Sequence, residues 1–455
     1  MAGDSKSTEN PLNLASLPVE LLNIIFSKLN PCYLQDTVRL VCKRFAEILS
    51  DDAFWKLCFR RHFGVRSKKY KYPLLQPFGF HEGFTIEKRF RCGDQISWRE
   101  ITSRLNKRDI LWGKAEKVVS RFSSIPHSSE VDAVRILPNH GICVTGGRDK
   151  MMCLWNLDFK KNPLLLAKEK SHNGWVWDIA FCQQDEFFSC GWDNTIKGWN
   201  LSNQLSCFKV MRTSSPPMCM DVVPGLIAAG LLTQEISMYD PRIAILHEIH
   251  RYNGHSRTVT SLKIVENKIY SVSEDKTISI YDTRNLAVID KKKLIIRLAV
   301  RCIWVSLCWT YYVLVNLKTY HHMLIKVSKK LSCETAFPRK MAVYRDLVYV
   351  GDSKGCFSVY HMQSDYDSPL VCLKVGNERP INSIIPSLEG VIVGTSDAGA
   401  KMIIPSVPMQ VVQQFNGDKS EITSMDYHKN YLVVTTASSH RTVQFYTPVP
   451  DLYNV

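Results

Sequence analysis

The sequence predicts a mainly β protein in which a seven-bladed β-propeller at residues 121–449 follows a small all-α module and a helical linker. Two patterns carry this prediction. Apolar residues recur at three- and four-residue spacing from Leu14 to Cys58, and beyond residue 120 short β-rich runs separated by turn residues repeat about every 42 residues. Composition agrees: 455 residues, 45% hydrophobic, with 22 Gly and 20 Pro, describe a globular chain of two or more domains and exclude fibrous and wholly disordered classes.

The first residues, 1–12, are polar, carry Asp4 and Glu9 and lack an apolar core, so they read as a flexible N-terminus and not as a secretory signal. The helical module spans 13–60. Its first helix places Leu17, Leu21, Ile24, Ile25 and Leu29 at helical spacing, with Ser16 available as a cap and Pro18 in the first turn, and Asn30-Pro31 ends it. A second helix is predicted from Leu34, Val38, Val41, Cys42, Phe45 and Ile48. Asp51-Asp52 opens a third, holding Phe54, Trp55 and Leu57. Leu17, Leu21, Leu22 and Ile25 cannot all face inward from one helix. Either they pack on the rest of the chain or some of them meet a partner.

The string Leu17-Pro18-x-Glu20-Leu21-Leu22-x-x-Ile25-Phe26-Ser27-x-Leu29-x-Pro31, followed by Val41-Cys42-Lys43-x-Phe45 and Phe54-Trp55-Lys56, resembles the F-box along the whole length of that motif. The resemblance implies docking to an SKP-type adaptor and, through it, to a cullin-RING ubiquitin ligase. Carried over by position, it implies adaptor contacts at Leu17, Pro18, Leu21, Leu22, Ile25 and Leu29, with Trp55 in support.

Residues 61–120 read as a basic linker with a helix from Trp98 to Trp112. Its net charge of +7 over 64–120 fits a solvated face. In the repeat region, strand-end aromatic or aliphatic markers fall at Trp155, Trp199, Tyr239, Tyr281, Tyr360, Ile403 and Tyr446, and every interval but one lies between 40 and 44 residues. That period is the signature of four-stranded propeller blades. Three units repeat four residue types in register: His127, Thr145, Asp149 and Trp155; His172, Ser189, Asp193 and Trp199; His255, Ser271, Asp275 and Tyr281. Such a set ties a blade's turn to its loop by hydrogen bonds. Ser, His and Asp also suggest a hydrolytic triad, but a catalytic triad occurs once and this set recurs. No phosphate-binding loop, His-Glu-x-x-His or Cys/His metal spacing is present, so neither catalysis nor a metal or other cofactor is expected. In later units the set decays, with Lys354 and His440 where the Asp belongs.

The exceptional interval, 79 residues between Tyr281 and Tyr360, holds one blade plus a surplus at 295–330. Across Ile295 to Val327 there is no Gly, Pro, Asp, Glu or Gln to punctuate a blade. The longest uncharged run, Cys302 to Leu317, is 16 residues, short of the ~20 that span a bilayer. This stretch reads as an insertion foreign to the repeat, with translated intron sequence from a faulty gene model as its proposed source. Placed between blades four and five, it threatens closure of the ring.

An F-box followed by WD repeats resembles the F-box/WD-repeat substrate receptors. The resemblance implies a non-catalytic subunit of an SCF-type ubiquitin ligase whose propeller holds an unknown protein target. An interaction scaffold acting outside a ligase is the alternative. Candidate target contacts lie beside the turn Asp and at the start of each blade's first strand: Arg148, Trp175, Trp177, Trp192, Arg257 and Thr260, together with Glu130, Thr258, Glu274, Pro380, Asn382, Glu421 and Thr423. Exposed Trp is enriched in binding hot spots, although one or two of the three could equally pack between blades. With only Arg148 and Arg257 in this set, recognition of phosphate is not favoured. The net charge of +15 sits in 64–120 and 291–330, while the long repeat stretches on either side of the latter sum to −2, so nucleic acid is not an expected partner. Fifteen scattered cysteines without a Cys-x-x-Cys pair read as reduced. A cytoplasmic or nuclear location is therefore expected, with no membrane association.

Overall fold

A computed structural model describes residues 14–59, 97–112 and most of 118–448; residues 1–13, 60–96, 113–117, 294–335, 449–455 and several short loop stretches lie outside the described residues. The N-terminal tail, the first part of the linker and the 295–330 insertion thus fall outside it.

In the helical module, α1 runs Val19–Phe26, and Pro18 occupies its N-cap with no side-chain hydrogen bond. Ser16 is therefore not the cap; it closes the preceding 3-10 turn, Leu14–Ser16. Asn30, expected to end a helix, caps the next, its Oδ1 accepting from Cys32 N at 2.8 Å. The second expected helix is divided. A turn α2 (Pro31–Tyr33), a π-helical stretch (Leu34–Val38) and a turn α3 (Arg39–Val41) run on to Cys42, whose extended backbone (φ −157°, ψ 162°) breaks the helix before α4 (Lys43–Ile48). That break redirects the chain so that Phe45 meets Phe26 edge-on at 5.0 Å and Ile48 and Leu49 enter the same core. Asp51 Oδ1 then accepts from Ala53 N at 2.9 Å at the start of α5 (Asp52–Phe59).

A further helix, α6, runs Trp98–Trp112. It is part of this module's packing and not a bare spacer: Ile101, Thr102 and Leu105 are buried, and Trp98 lies 5.1 Å from the Phe59 ring. The Trp98 backbone N–H donates to Asp52 Oδ1 at 2.8 Å, joining the two helix starts.

The rest forms seven four-stranded antiparallel sheets, the blades of a propeller. All seven strand-end markers fall on the third strand of a blade, from Trp155 in Met152–Asn156 to Tyr446 in Val443–Pro448. Alternation supplies the packing: strands such as Ile142–Gly147 and Leu347–Asp352 lie between neighbouring sheets and are buried along almost their whole length.

The ring closes with a strand that precedes the first blade. Val118–Ser123 pairs with Val443–Pro448 as the outer strand of the last sheet, so the propeller begins at Val118, three residues before the expected boundary. A second link is polar: the Ile136 N–H of blade 1 donates to Asp426 Oδ2 of blade 7 at 2.7 Å, and Arg135 stands 3.9 Å from the same carboxylate. Blades 4 and 5, which flank the insertion, each have four strands and are stitched together by Thr260 Oγ1 donating to Pro338 O at 2.9 Å and Ser261 Oγ to Met341 O at 3.3 Å. The threat to closure is not realised.

Candidate functional site

The repeated polar set forms one hydrogen-bonded chain in each of two blades. Trp155 Nε1 donates to Thr145 Oγ1 at 2.7 Å; that hydroxyl lies 2.9 Å from His127 Nε2, and His127 Nδ1 lies 2.9 Å from Asp149 Oδ2. In blade 2, Trp199, Ser189, His172 and Asp193 repeat it at 2.8, 2.7 and 3.0 Å. The neutral histidine with its proton on Nδ1 satisfies every group: indole to hydroxyl, hydroxyl to Nε2, Nδ1–H to carboxylate. A glycine completes each site, because a Cβ on Gly147 or Gly191 would come within 2.9 Å of the histidine Nδ1. Thr145 and Ser189 are wholly buried, and an indole N–H already sits on each hydroxyl. Neither can reach a substrate carbonyl.

Each aspartate ties loop to turn. Burial pushes the Asp193 carboxyl up, but hydrogen bonds from His172, Thr195 and the Asn173 N–H outweigh it and hold the group well below its ordinary value. Asp149 and Asp275 are lowered by the same balance, whereas burial, opposed by Asp193, lowers His172. In blade 4 the chain is shorter. His255 bridges Ser271 at 2.8 Å and Asp275 at 3.1 Å, yet the Tyr281 hydroxyl makes no hydrogen bond and its ring lies 4.9 Å from Tyr252.

Two decayed blades keep a carboxylate that residue matching overlooks. Where Lys354 replaces the aspartate, Asp352 accepts from the Lys354 and Cys356 N–H groups at 2.9 and 2.7 Å. In blade 6, Asp397 accepts from the Asn377 N–H at 3.0 Å, as Asp193 does from Asn173. His440 lies outside the described residues.

The face carrying these turns is organised by a β-bulge at the same register in the first strand of all seven blades. The extra residue re-aims one side chain per blade: Asp132, Trp177, Met218, Thr260, Arg339, Asn382 and Thr423. Blade 2 contributes three tryptophans. Trp175 and Trp192 are 39% and 37% exposed with rings 5.3 Å apart, and Trp177 lies 5.6 Å from Trp192, so this trio forms an open surface cluster. Arg148 lies over Trp175 at 5.1 Å and Trp177 at 5.9 Å, and its guanidinium is held by Glu130 at 2.7 Å and Asp132 at 2.9 Å.

Other expected contacts fall differently. Thr260 and Thr423 turn their hydroxyls onto the carbonyls of Pro338 and Val131 in the next blade, and Asn382 donates to Ile422 O at 2.7 Å, so these three serve blade packing. Arg257 is exposed, with its carbonyl accepting from Ser273 Oγ at 2.9 Å. Blades 3 and 5, from which the sequence offered no candidate contact, add Met218, Leu232 and Arg339 to the face. Leu232 is exposed, its N–H bonded to Pro216 O as Trp192 N is to Trp175 O. The bulged first-strand start, Pro217-Met218 or Pro338-Arg339, is the signal that would have found them.

On the helical module, Leu22 and Trp55 are 0% exposed, and Trp55 Nε1 donates to Leu49 O at 2.7 Å. Both are core residues and offer no surface. Leu17, Ile25 and Leu29 are half-buried against that core, while Pro18 and Leu21 are exposed. Ile24, one turn from Leu21, is exposed too, as are Leu40 (79%) and Val41 (65%) at the end of α3. Arg44 Nη2 donates to Leu17 O at 2.7 Å, bringing the α3–α4 junction beside the start of α1. Among the described residues there is no group of side chains that could hold a metal ion, and no helix is long and apolar enough to cross a membrane.

Comparison with known proteins follows these two surfaces. The F-box-like family model matches residues 14–61, and the "WD domain, G-beta repeat" model matches 119–156, 165–200 and 246–282, the three units with a His–Asp pair. The human F-box/WD repeat-containing protein 9 is 24% identical over 408 residues, 88% of this chain and 75% of the relative. The bovine protein of the same name is 22% identical with the same coverage. F-box/WD repeat-containing protein mec-15 of Caenorhabditis elegans is 27% identical over 294 residues, 61% of this chain and 66% of the relative. This chain therefore carries an F-box-like domain at 14–61 and, in three of its seven blades, matches to the WD-repeat model, the combination that the names of these relatives describe.

Proposed function

We propose that the chain is a non-catalytic substrate receptor of an SCF-type cullin-RING ubiquitin ligase, its F-box docking an SKP-type adaptor and its propeller holding a protein target. The observation that carries this reading is a pair of open apolar surfaces, one in each domain. Leu21, Ile24, Leu40 and Val41 stay exposed although the helical module has a complete core of its own, and Trp175 and Trp192 of blade 2 stay exposed on the propeller face. Transfer of ubiquitin then needs no reactive group from this chain. Holding a target near the charged conjugate raises the effective concentration of its lysines.

The test is co-expression of the full chain with the SKP-type adaptor, in intact form and as L21E/I24E, followed by co-purification. Both positions are half exposed, so the double variant keeps the fold while placing two charges in the interface. Adaptor is expected to co-purify with the intact protein and to be lost from the variant at unchanged melting temperature. Absence of adaptor from the intact, folded protein would overturn the ligase reading and leave that of a scaffold outside a ligase.

A further inference from the structure

Arg148 lies over two of the tryptophans, yet its guanidinium is already engaged. Its Nη1 is bound to Glu130 at 2.7 Å, and its Nε and Nη2 to Asp132 at 2.9 and 3.2 Å. Glu421, exposed on blade 7, acts electrostatically on the same guanidinium. Two carboxylates therefore bind this one cation, and Glu421, whose Oε1 accepts from Ser396 Oγ at 2.7 Å, adds a third where blades 7 and 1 meet. Because Arg148 also lies over Trp175 and Trp177, this acidic sector directly borders the aromatic one. On the far side, blade 3 continues the apolar surface with Met218 and the exposed Leu232.

Resting on the receptor reading above, we propose that the propeller face takes an extended polypeptide segment with a bulky apolar side chain, seated on Trp192 and its neighbours, and a Lys or Arg two residues away, facing Glu130 and Glu421. The spacing suits a strand. The Arg148 guanidinium lies 5.1 Å from the Trp175 ring and carries Glu130 at 2.7 Å, so one guanidinium separates ring from carboxylate, a span comparable to the ~6.6–7 Å between alternate residues on one side of an extended chain. Charge sets the choice of occupant: beside the tryptophans an acidic or phosphorylated neighbour would meet Glu130 and Asp132, and the Arg148 guanidinium between them is already engaged by both.

The proposal is tested with the adaptor-bound full chain and oriented decapeptide libraries, a central Trp or Leu being fixed and the residue two positions away fixed as Arg, Lys, Gln, Glu or phosphoserine. Binding is read by fluorescence anisotropy. The Arg and Lys libraries are expected to bind at least tenfold more tightly than the Glu and phosphoserine libraries. Trp192→Ala should weaken binding of every library with the apolar anchor, and Glu421→Lys, at an exposed position, should remove only the preference for the cation. Equal or tighter binding of the Glu or phosphoserine libraries, binding insensitive to Trp192→Ala, or no binding by any library overturns the proposal. Adaptor co-purification, measured on the same preparations, reports separately on the receptor reading.

Discussion

The histidine–aspartate pairs hold the loops between blades by buried hydrogen bonds between two titratable groups. Asp149, Asp193 and Asp275 lie below their ordinary carboxyl value when folded, and His172 lies below its ordinary imidazole value. For both kinds of group the folded state binds fewer protons than the unfolded one, so stability is lost as pH falls. His172 contributes in the window beginning near its unfolded value of 6.5, and the aspartates in a second window from 3.8 downward. The urea midpoint of the full chain should decline from pH 7 to pH 5 and more steeply below pH 4. Asp193→Asn should lower it at pH 7, by a margin that begins to narrow as pH falls below 3.8. A midpoint flat between pH 7 and 5 would rule out the buried neutral His172. The pairs were legible in the sequence because they repeat; Asp397 was not, since it ties loop to turn without a histidine, nor was Asp352, which stands two residues early and holds only its own turn.

At the scale of elements, the surface proposed to face the adaptor depends on buried residues beneath it. Ile101 and Leu105 of α6 are 1% and 3% exposed, and Thr102 Oγ1 lies within 3.5 Å of Trp55 O. Truncating Leu105 to Ala should cost the helical module about 2–5 kcal/mol and reduce adaptor co-purification, with the propeller's melting transition unchanged. Wild-type recovery of adaptor from a Leu105→Ala protein would show that α6 does not support the F-box. Periodicity located α1 because its apolar face is regular over two turns, whereas α6 was expected from the resemblance to receptors with a helical linker. It could not locate the break at Cys42, where no Gly or Pro marks a backbone change that is dictated by the packing of Phe45 on Phe26. Nor could it distinguish Leu21 from Leu22, adjacent leucines of which one is 46% exposed and the other buried.

For the whole molecule, closure comes from pairing Val118–Ser123 with Val443–Pro448 and from the blade-to-blade bonds, and none of these uses residues 295–330. The connection from one blade's outer strand to the next blade's first strand is four residues between Arg212 and Pro217, six between Tyr252 and Val259, and seven between Lys168 and Val176. Between Lys293 and Pro338 it is 44. Removing 295–330 would leave Leu294 and residues 331–337, eight residues, close to the ordinary length for this ring. It would also remove six of the chain's excess positive charges. Loop entropy changes little with such shortening, on the order of 1.5 kcal/mol in favour of the shorter loop. A chain lacking 295–330 is therefore expected to fold with equal or higher melting temperature and to retain adaptor binding. Loss of the cooperative transition on deletion would make the segment part of the propeller. Its proposed origin is tested separately: sequenced mature transcripts spanning codons 290–335 should join the flanking blades without it, and mature message that contains the segment would refute that origin while leaving the stability prediction to stand on the geometry of blades 4 and 5.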